Sequence, residues 1–383
     1  GELIAAGKVA ALVVAGGQGT RLGYDAPKGT FPITPIRKKP LFQVFAESIL
    51  RAQEKYDSPP ILWVIMTSSL NDDDTRAFFA DNDYFGLSKD NVVFVCQGLL
   101  PAISFDGRLL LSSKDSLALA PNGHGGTFEA LHRSGALQRM RAAGVEHISY
   151  WQVDNPLVKI FDPLFIGLHD MQQSDMSCRS LTKTDPYEKL GNFCVCDGCV
   201  YVIEYSDMDP ERCEARDASG HLLYRAGSPA IHILRRDFVE RLTSNGGPDL
   251  PLHRAEKKVP FIDESGTAQR PDEANAVKLE MFIFDALPRA RNVLILEADR
   301  HAQFAPVKNA TGADSPEECR QMMINRAARW LDHAGLSVPR RGDGSPDCTI
   351  ELSTRAYLDR EDVRNRASEL NPPRRGQKEY YDR

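Results

Sequence analysis

The sequence predicts an α/β protein built on a doubly wound, mostly parallel β-sheet. Four short apolar runs, each typical of a strand buried on both faces, alternate with stretches of helical periodicity. The predicted strands cover residues 9–14, 61–66, 92–96 and 147–153. Regular alternation of strand and helix favours parallel pairing, because each helix is then a crossover between neighbouring strands.

The helices between these strands have recognisable starts. Pro40 opens a helical stretch to about Tyr56. Asp162 followed by Pro163 is typical of an N-cap with proline in the first turn, and this helix is expected to end near Gln172. Further helices are predicted over residues 72–80 and 127–140, with a candidate break at Gly135 in the second.

The second half of the chain departs from this alternation. Asp197-Gly198 separates two apolar runs, which is typical of a tight hairpin, so antiparallel strands are expected beside the parallel sheet. From about residue 338, interspersed opposite charges with Pro and Gly predict a loosely held module or tail. The remaining predictions are strands at 193–196, 200–205, 230–234 and 293–297, a helix at 276–287, and a capping-box helix from Ser315 to near Gly335.

Composition restricts the possible functions. Lys and Arg number 47 and Asp and Glu 53 among 383 residues, and this net charge of −6 argues against a general nucleic-acid binder. Eight cysteines are too few for a disulfide scaffold, and no apolar run approaches the ~18 residues of a membrane span. The apolar run after Lys8 leads directly into Gly16, which is not typical of a signal peptide. We therefore expect an enzyme of a reducing compartment, the cytoplasm.

A glycine-rich loop with two cations follows the first predicted strand. It reads Ala15-Gly16-Gly17-Gln18-Gly19-Thr20-Arg21-Leu22-Gly23 and continues to Pro27-Lys28-Gly29. Glycines let the backbone N–H groups approach an anion, and Arg21 and Lys28 supply the local charge that a triphosphate needs in an acidic protein. The loop lacks the Gly-Lys-Ser/Thr of a P-loop, and Leu22 breaks the dinucleotide fingerprint. The alternative is a tight turn with solvated cations.

Further motifs place this loop in a family. In chain order these motifs are Gln97-Gly98, Leu100-Pro101-Ala102-Ile103, Ala120-Pro121-Asn122-Gly123-His124-Gly125-Gly126, Val153-Asp154-Asn155, Gly191, Val202-Ile203-Glu204-Tyr205-Ser206, the segment from Lys278 to Asp285, and the segment from Phe304 to Asn309. With the glycine-rich loop, this combination resembles eukaryotic-type UDP-N-acetylglucosamine pyrophosphorylases of the UTP:sugar-1-phosphate uridylyltransferase family, over about residues 9–335. The resemblance implies a Rossmann-like nucleotidyltransferase domain at 1–305, a C-terminal module at 306–383, and a reaction of UTP with a sugar 1-phosphate that gives a UDP-sugar and pyrophosphate.

The resemblance assigns the catalytic groups. Arg21 and Lys28 are expected on the leaving pyrophosphate, and Lys308 on the phosphate under attack. Asp154 follows a buried strand, at the sheet edge where ligands of open α/β sheets bind, and is implied to hold Mg²⁺. A turn or helix-capping role is the alternative for Asp154.

The resemblance also implies the residues that bind the two substrates. Gln97 suits the edge of uracil because its amide both donates and accepts. Phe282 and Phe284 either shape an N-acetyl pocket or pack in the core. The nucleotide residues are Val14, Ala15, Gly16, Gly17, Gln97, Pro121, Gly123 and Lys278. The sugar residues are His124, Asn155, Gly191, Glu204, Ser228, Phe282 and Phe284.

Two features leave questions open. Ser228 stands where the N-acetylglucosamine enzymes carry an asparagine, so glucose, galactose or a broad sugar specificity stays possible. Cys194, Cys196 and Cys199 lack a second Cys-x-x-Cys or a nearby His, so we expect reduced core thiols rather than a zinc site.

The sequence disfavours two other classes of protein. An inactive nucleotide-binding homologue is disfavoured by the presence of Arg21, Lys28, Asp154 and Lys308 together, and a nicotinamide-dependent oxidoreductase is disfavoured by Leu22. The expected partners are UTP, a sugar 1-phosphate, the UDP-sugar and pyrophosphate, with no nucleic acid and no membrane. The expected cofactor is Mg²⁺.

Overall fold

The computed structural model describes residues 1–382 and is centred on a ten-stranded sheet. The strands of this sheet, in chain order, are β1 (Val9–Val14), β2 (Trp63–Thr67), β3 (Val92–Cys96), β4 (His147–Gln152), β5 (Met176–Thr182), β6 (Gly191–Cys196), β7 (Cys199–Ile203), β8 (Ala226–Ser228), β9 (His232–Arg235) and β10 (Val293–Glu297).

The centre of the sheet is parallel, as predicted. Strands β3, β2, β1 and β4 are parallel neighbours in this order, then β9 runs antiparallel between β4 and β5, and β10 pairs parallel with β5. The register places Val14 opposite both Met66 and Gln152. The loops that follow β1, β2 and β4 therefore begin side by side at one edge of the sheet.

The predicted hairpin extends the sheet. Strands β6 and β7 pair antiparallel across Asp197 and Gly198, whose φ angles of 50° and 76° are those of a type I′ turn. Strand β8 joins this hairpin to β5. Pro229 and Ala230 lie in the short segment between β8 and β9, where Ala230 has a φ of 54°.

Helices cover both faces of the sheet. Val9, Ala11 and Val13 of β1 pack into one apolar cluster, and Ala10 and Leu12 pack into another on the opposite face. The helices are α1 (Glu2–Ala5), α2 (Leu41–Tyr56), α3 (Asp72–Asp81), α4 (Thr127–Arg133), α5 (Ala136–Ala142), α6 (Pro163–Met171), α7 (Pro210–Glu214), α8 (Arg236–Thr243), α9 (Arg300–Gln303), α10 (Pro316–His333) and α11 (Arg360–Asn365). The break at Gly135 is confirmed, because this residue separates α4 from α5 with a φ of 78°.

The predicted helix over residues 276–287 is wrong. Ala276–Glu280 is a strand that pairs antiparallel with His253–Lys257, and Ile283–Arg289 is a short 3₁₀ helix. The pairing partner lies more than twenty residues earlier in the chain, so the local spacing of apolar residues did not reveal it.

The expectation of a loosely held C-terminal tail is also wrong. Thr349–Leu352 and Lys378–Tyr381 pair as parallel strands, and Ile350, Tyr357 and Val363 pack against Leu331 of α10. This module is attached to the rest of the chain by buried Glu351, whose carboxylate accepts hydrogen bonds from the backbone N–H groups of residues 36 and 37. The segment after residue 338 has few apolar residues, but they form a core because α10 supplies further apolar side chains to the same cluster.

Several short elements complete the description of the chain. No helix within residues 1–382 is long and apolar enough to cross a membrane. All eight cysteines, which lie within the described part, are free thiols. The remaining strands are Leu99–Pro101, Ile103–Ser104, Leu111–Ser113, Ser116–Leu117, Leu119–Pro121, His253–Lys257, Phe261–Ile262, Ala268–Gln269, Ala276–Glu280, Thr349–Leu352 and Lys378–Tyr381.

Two buried histidines make the stability of the fold sensitive to acid. His169 and His232 have no exposed surface, and burial lowers the pKa of each to about 3. Between this value and the ordinary pKa near 6.5, the unfolded chain binds more protons than the folded one, so stability falls as pH falls. We expect each histidine to cost roughly 2 kcal/mol of unfolding free energy between pH 7 and pH 5.

Urea unfolding of the wild type and of a His232→Phe variant at both pH values measures this cost. The variant keeps an aromatic ring beside Tyr150 and should lose its share of the pH dependence. A His301→Gln variant changes an exposed histidine and serves as the control. An unchanged pH dependence in His232→Phe would contradict the assignment.

Candidate functional site

The glycine loop after β1 turns its carbonyl groups toward the protein. The amide of Asn71 donates to the carbonyl oxygens of Ala15 (2.9 Å) and Gly17 (3.3 Å), and Ser68 Oγ donates to that of Gly16 (2.7 Å). No hydrogen bond from the described residues occupies the backbone N–H of Gly16 or Gly17. These N–H groups belong to residues that line a cavity of about 230 Å³, so they are available to an anion.

Gln97 closes the loop side of this cavity. It follows β3, its backbone N–H bonds to Thr67 O, and its side chain is buried against the loop. A Cβ atom at Gly16 would lie 2.4 Å from Gln97 Oε1. Glycine at this position therefore permits the contact between the loop and the amide.

Gly123 joins the opposite wall to the segment that follows residue 280. Its φ is 82°, and a Cβ atom there would lie 2.4 Å from the carbonyl oxygen of Met281. The backbone N–H of Gly125 also donates to that oxygen, and Met281 N–H donates to Asn122 O. The cavity wall at Gly123 thus comes from close approach of two backbone segments, and Pro121 lies at the end of the strand that leads into it.

His124 is a neutral hydrogen-bond donor toward the cavities. The backbone N–H of Ile283 donates to its Nδ1 over 3.1 Å, so the ring proton is assigned to Nε2. Burial, together with the proximity of His253, lowers the pKa of His124 to about 4. The ring stacks on Phe282 with centroids 5.3 Å apart, which fixes its orientation.

Asp154 lies between two adjoining cavities. It follows β4, is only 9% exposed, and lines both cavities together with His124 and Gln152. Its backbone carbonyl accepts a hydrogen bond from Val307 N–H, but no side chain or N–H of residues 1–382 bonds to its carboxylate. A buried carboxylate with free lone pairs is a suitable ligand for a divalent cation.

The second cavity, of about 170 Å³, contains groups suited to a sugar phosphate. Glu204 is largely buried, and this burial raises the pKa of its carboxyl above the ordinary value. A Cβ atom at Gly191 would lie 3.3 Å from Glu204 Oε1, so a side chain there would crowd this carboxylate. Ser228 is buried and its Oγ has no hydrogen-bond partner in the described chain. Lys308 and Phe284 complete the wall among the predicted residues.

Asn155 supports this cavity from behind. Its amide donates to Gln303 O over 2.8 Å, and its Oδ1 accepts from the backbone N–H groups of Ala305 (3.1 Å) and Leu157 (3.2 Å). It is buried, and it does not line either cavity. Its side chain thus fixes the segment that leads to Lys308, rather than facing a sugar as the family resemblance implied.

Five other predicted residues do not line the two cavities, and Ala15 and Pro121 are two of them. Arg21 is exposed in a short 3₁₀ helix, Thr20–Leu22. Lys28, in contrast, lines the first cavity together with the glycine loop. Lys278 lies in the strand Ala276–Glu280. Phe282 lies one layer back, between His124 and His253, so only Phe284 of the aromatic pair reaches the wall.

Sequence reasoning missed several residues of the site. Gln152 lines both cavities. The second cavity is also lined by Lys189, Leu190, Pro229, Ala230 and Phe304. Gln152 was detectable, because it lies two residues before Asp154 at the end of the same strand. For Pro229 and Ala230, nothing comparable in the sequence indicated that they would line the cavity. His253 was missed as well; its Nε2 lies 2.8 Å from Asp285 Oδ2 and its ring packs on Phe282.

The residues present fit a metal that phosphates help to hold. No group of three or more His, Cys, Asp or Glu side chains in residues 1–382 forms a metal cage. Mg²⁺ commonly binds through one or two carboxylates and takes its other ligands from water and substrate phosphates. Asp154 alone on the wall shared by the two cavities matches this pattern.

The fold and the paired cavities define a nucleotidyltransferase: a glycine-rich loop with free N–H groups and a buried carboxylate lie at the carboxyl edge of a doubly wound sheet. Comparison with known proteins is consistent with this class. The family model described as UTP–glucose-1-phosphate uridylyltransferase matches residues 3–371, and the chain belongs to this family.

Curated relatives and solved structures match over most of the chain. A human protein named UDP-N-acetylhexosamine pyrophosphorylase-like protein 1 is 38% identical, over 91% of this chain and 73% of its own length. The UDP-N-acetylglucosamine pyrophosphorylase of Saccharomyces cerevisiae is 36% identical, over 88% of this chain and 72% of its own length. A structure from Entamoeba histolytica, described as a UDP-N-acetylglucosamine pyrophosphorylase, superimposes with a TM-score of 0.86 at 32% identity, covering 99% of this chain and 93% of that one.

Proposed function

We propose that this protein transfers the uridylyl group of UTP to a sugar 1-phosphate, releasing pyrophosphate, and that its preferred sugar is N-acetylglucosamine 1-phosphate. The observation that carries the proposal is the common wall of His124, Gln152 and Asp154 between the two cavities. A triphosphate bound at the loop and a sugar phosphate bound at Glu204 would meet at this wall. The names of the yeast and Entamoeba relatives support N-acetylglucosamine.

The first cavity holds the nucleotide in this proposal. The free N–H groups of Gly16 and Gly17 bind phosphate oxygens, and Lys28 adds a positive charge beside them. Gln97 pairs with the edge of uracil, since its amide offers both a donor and an acceptor. Lys28, together with Arg21 from the outer end of the loop, stabilises the pyrophosphate as it leaves.

Transfer occurs when an oxygen of the sugar phosphate attacks the α-phosphorus of UTP. Lys308 neutralises the attacking phosphate, and the Nε2–H of His124 donates to an oxygen of the phosphate chain. Asp154 would hold a divalent ion, proposed to be Mg²⁺, which would offset negative charge on the phosphates. The remaining catalysis is positioning, because two anions must be held in line for attack.

The second cavity selects the sugar. Glu204 accepts hydrogen bonds from ring hydroxyls, and the lack of a side chain at Gly191 leaves room beside it. Ser228 belongs to the lining, with a buried Oγ that has no partner among the described residues, and Phe284 provides an apolar wall. The free state of all eight cysteines supports a cytoplasmic location.

Pyrophosphate release measured with UTP, Mg²⁺ and a panel of sugar 1-phosphates tests the proposal. We expect N-acetylglucosamine 1-phosphate to give the highest kcat/KM in the panel, which should include the glucose, galactose and N-acetylgalactosamine compounds. A complete lack of release with every sugar phosphate would overturn the uridylyltransferase assignment. A preference for glucose 1-phosphate would leave the reaction in place and correct the sugar.

The second candidate, a UDP-glucose or broad-specificity enzyme, is favoured by Ser228. The serine side chain is shorter than that of asparagine, and it offers a single hydroxyl in place of the separate carbonyl acceptor and NH₂ donor of the amide. Replacing Ser228 with Asn should shift the kcat/KM ratio toward N-acetylglucosamine 1-phosphate over glucose 1-phosphate by about 10-fold, the effect of roughly one hydrogen bond.

The same substrate panel checks this ratio. Ser228→Ala is the matched control: it removes the hydroxyl, adds no amide, and should not produce the shift. If Ser228→Asn leaves the ratio unchanged, residue 228 does not determine which sugar is used.

A further inference from the structure

Three cysteines in the β6–β7 hairpin have no part in the proposed reaction. They were expected in the core, but the structure places them near the surface: Cys196 is exposed, and Cys194 and Cys199 are partly buried. They lie around the Asp197-Gly198 turn at the tip of the hairpin. The hairpin strands lie at one edge of the sheet, and Val195 beside the tip is 72% exposed.

Cys196 and Cys199 face each other across the turn. They are direct partners in the antiparallel ladder, so their side chains emerge on the same face of the hairpin. Directly opposed residues of antiparallel strands have Cα atoms about 4.5–5.5 Å apart. This separation lies inside the range of about 4.4–6.8 Å that disulfides occupy.

Cys194 is a poorer partner for either thiol. It lies opposite Tyr201 and two residues before Cys196 on the same strand. Two residues along a strand span about 6.6 Å, at the far end of the disulfide range. Metal binding by the trio is not indicated, because no three metal-ligating side chains within residues 1–382 converge on one point.

We propose that Cys196 and Cys199 form a dithiol site that small disulfide oxidants convert to an intramolecular disulfide. The exposed thiolate of Cys196 attacks an oxidised disulfide such as glutathione disulfide, forming a mixed disulfide and releasing one thiol. The thiolate of Cys199 then attacks the Cys196 sulfur and releases the second thiol. Two protein thiols lose two electrons and two protons in total, and the oxidant is reduced to two thiols.

The geometry also indicates that this disulfide is easily reduced. It would close a loop of only four residues, so it removes little chain entropy and stabilises the fold weakly. An exposed disulfide of this kind exchanges readily with a thiol pool, unlike a buried structural one. The site is independent of the proposed uridylyl transfer.

The test treats the reduced full-length protein with glutathione disulfide, blocks remaining thiols, and analyses tryptic peptides by mass spectrometry. Cleavage after Lys189 and Arg212 gives one peptide that contains Cys194, Cys196 and Cys199 and no other cysteine. We expect this peptide to lose the mass of two hydrogens. Its fragment ions should locate the disulfide between Cys196 and Cys199 and show that Cys194 carries the blocking group. Dithiothreitol should reverse the change.

Single variants separate the two steps. Cys199→Ser should accumulate a glutathione adduct on Cys196, whereas Cys194→Ser should close as the wild type does. Persistent glutathione on Cys196 in the wild type, or closure through Cys194, would overturn the proposal. Because the wild-type result decides it, a variant that fails to fold does not leave the question open.

Discussion

Replacing Lys308 with Ala should lower kcat by about 100- to 1,000-fold and change the Kd for UTP by less than about threefold. Lys308 lines the sugar-side cavity with Asp154, while the glycine loop lines the nucleotide side. We therefore expect its charge to act on the attacking phosphate and the transition state more than on bound UTP. Removal of a charge that is used mainly in the transition state lowers turnover more than ground-state binding.

Single-turnover kinetics and calorimetric titration with UTP check this split. Lys308→Arg should recover part of the lost rate, because it restores the charge in a different shape. Lys89→Ala, which changes an exposed lysine, serves as the control and should not alter either quantity. Equal losses of UTP affinity and turnover in Lys308→Ala would rule out the proposed role.

Replacing Asp154 with Asn should lower kcat by about 100-fold or more and remove the dependence of UTP binding on Mg²⁺. Asparagine keeps the shape of the side chain, so a large loss reports the charge rather than packing. The carboxylate accepts no hydrogen bond from the described residues, and its removal should leave the protein folded.

Titration of UTP with and without Mg²⁺ measures this coupling, and thermal unfolding checks the fold. Asp207→Asn changes an exposed carboxylate after β7 and should bind UTP with the wild-type Mg²⁺ dependence. If Asp154→Asn retains that dependence, the metal is held elsewhere and Asp154 has a structural role.

The parts of the fold that were predictable have local causes. Strands β3 and β10 have the predicted bounds, and α6 begins with the predicted Asp162 cap, whose side chain accepts a hydrogen bond from Leu164 N–H. Apolar runs, caps and turn residues act within a few positions of each other, so the sequence displays them directly. The errors at 276–287 and after residue 338 arose where a distant partner decides the structure.

The candidate site divides in the same way. Gly16, Gly17, Lys28, Gln97 and Asp154 line one cavity, and each lies in a loop that follows a parallel strand. The setting of Lys308 could not be predicted, since it depends on hydrogen bonds between Asn155 and a segment about 150 residues later in the chain.

Short-range spacing encodes the order of the motifs along the chain, the glycine-rich loop and the carboxylate that follows β4, so the sequence displays these features directly. Long-range packing places the Ile283 N–H on His124 Nδ1 and puts Phe282 behind the cavity wall. It also leaves the buried Oγ of Ser228 without a partner among the described residues. These facts depend on contacts between segments separated by up to about 160 positions, and local patterns of polarity carry no record of such contacts.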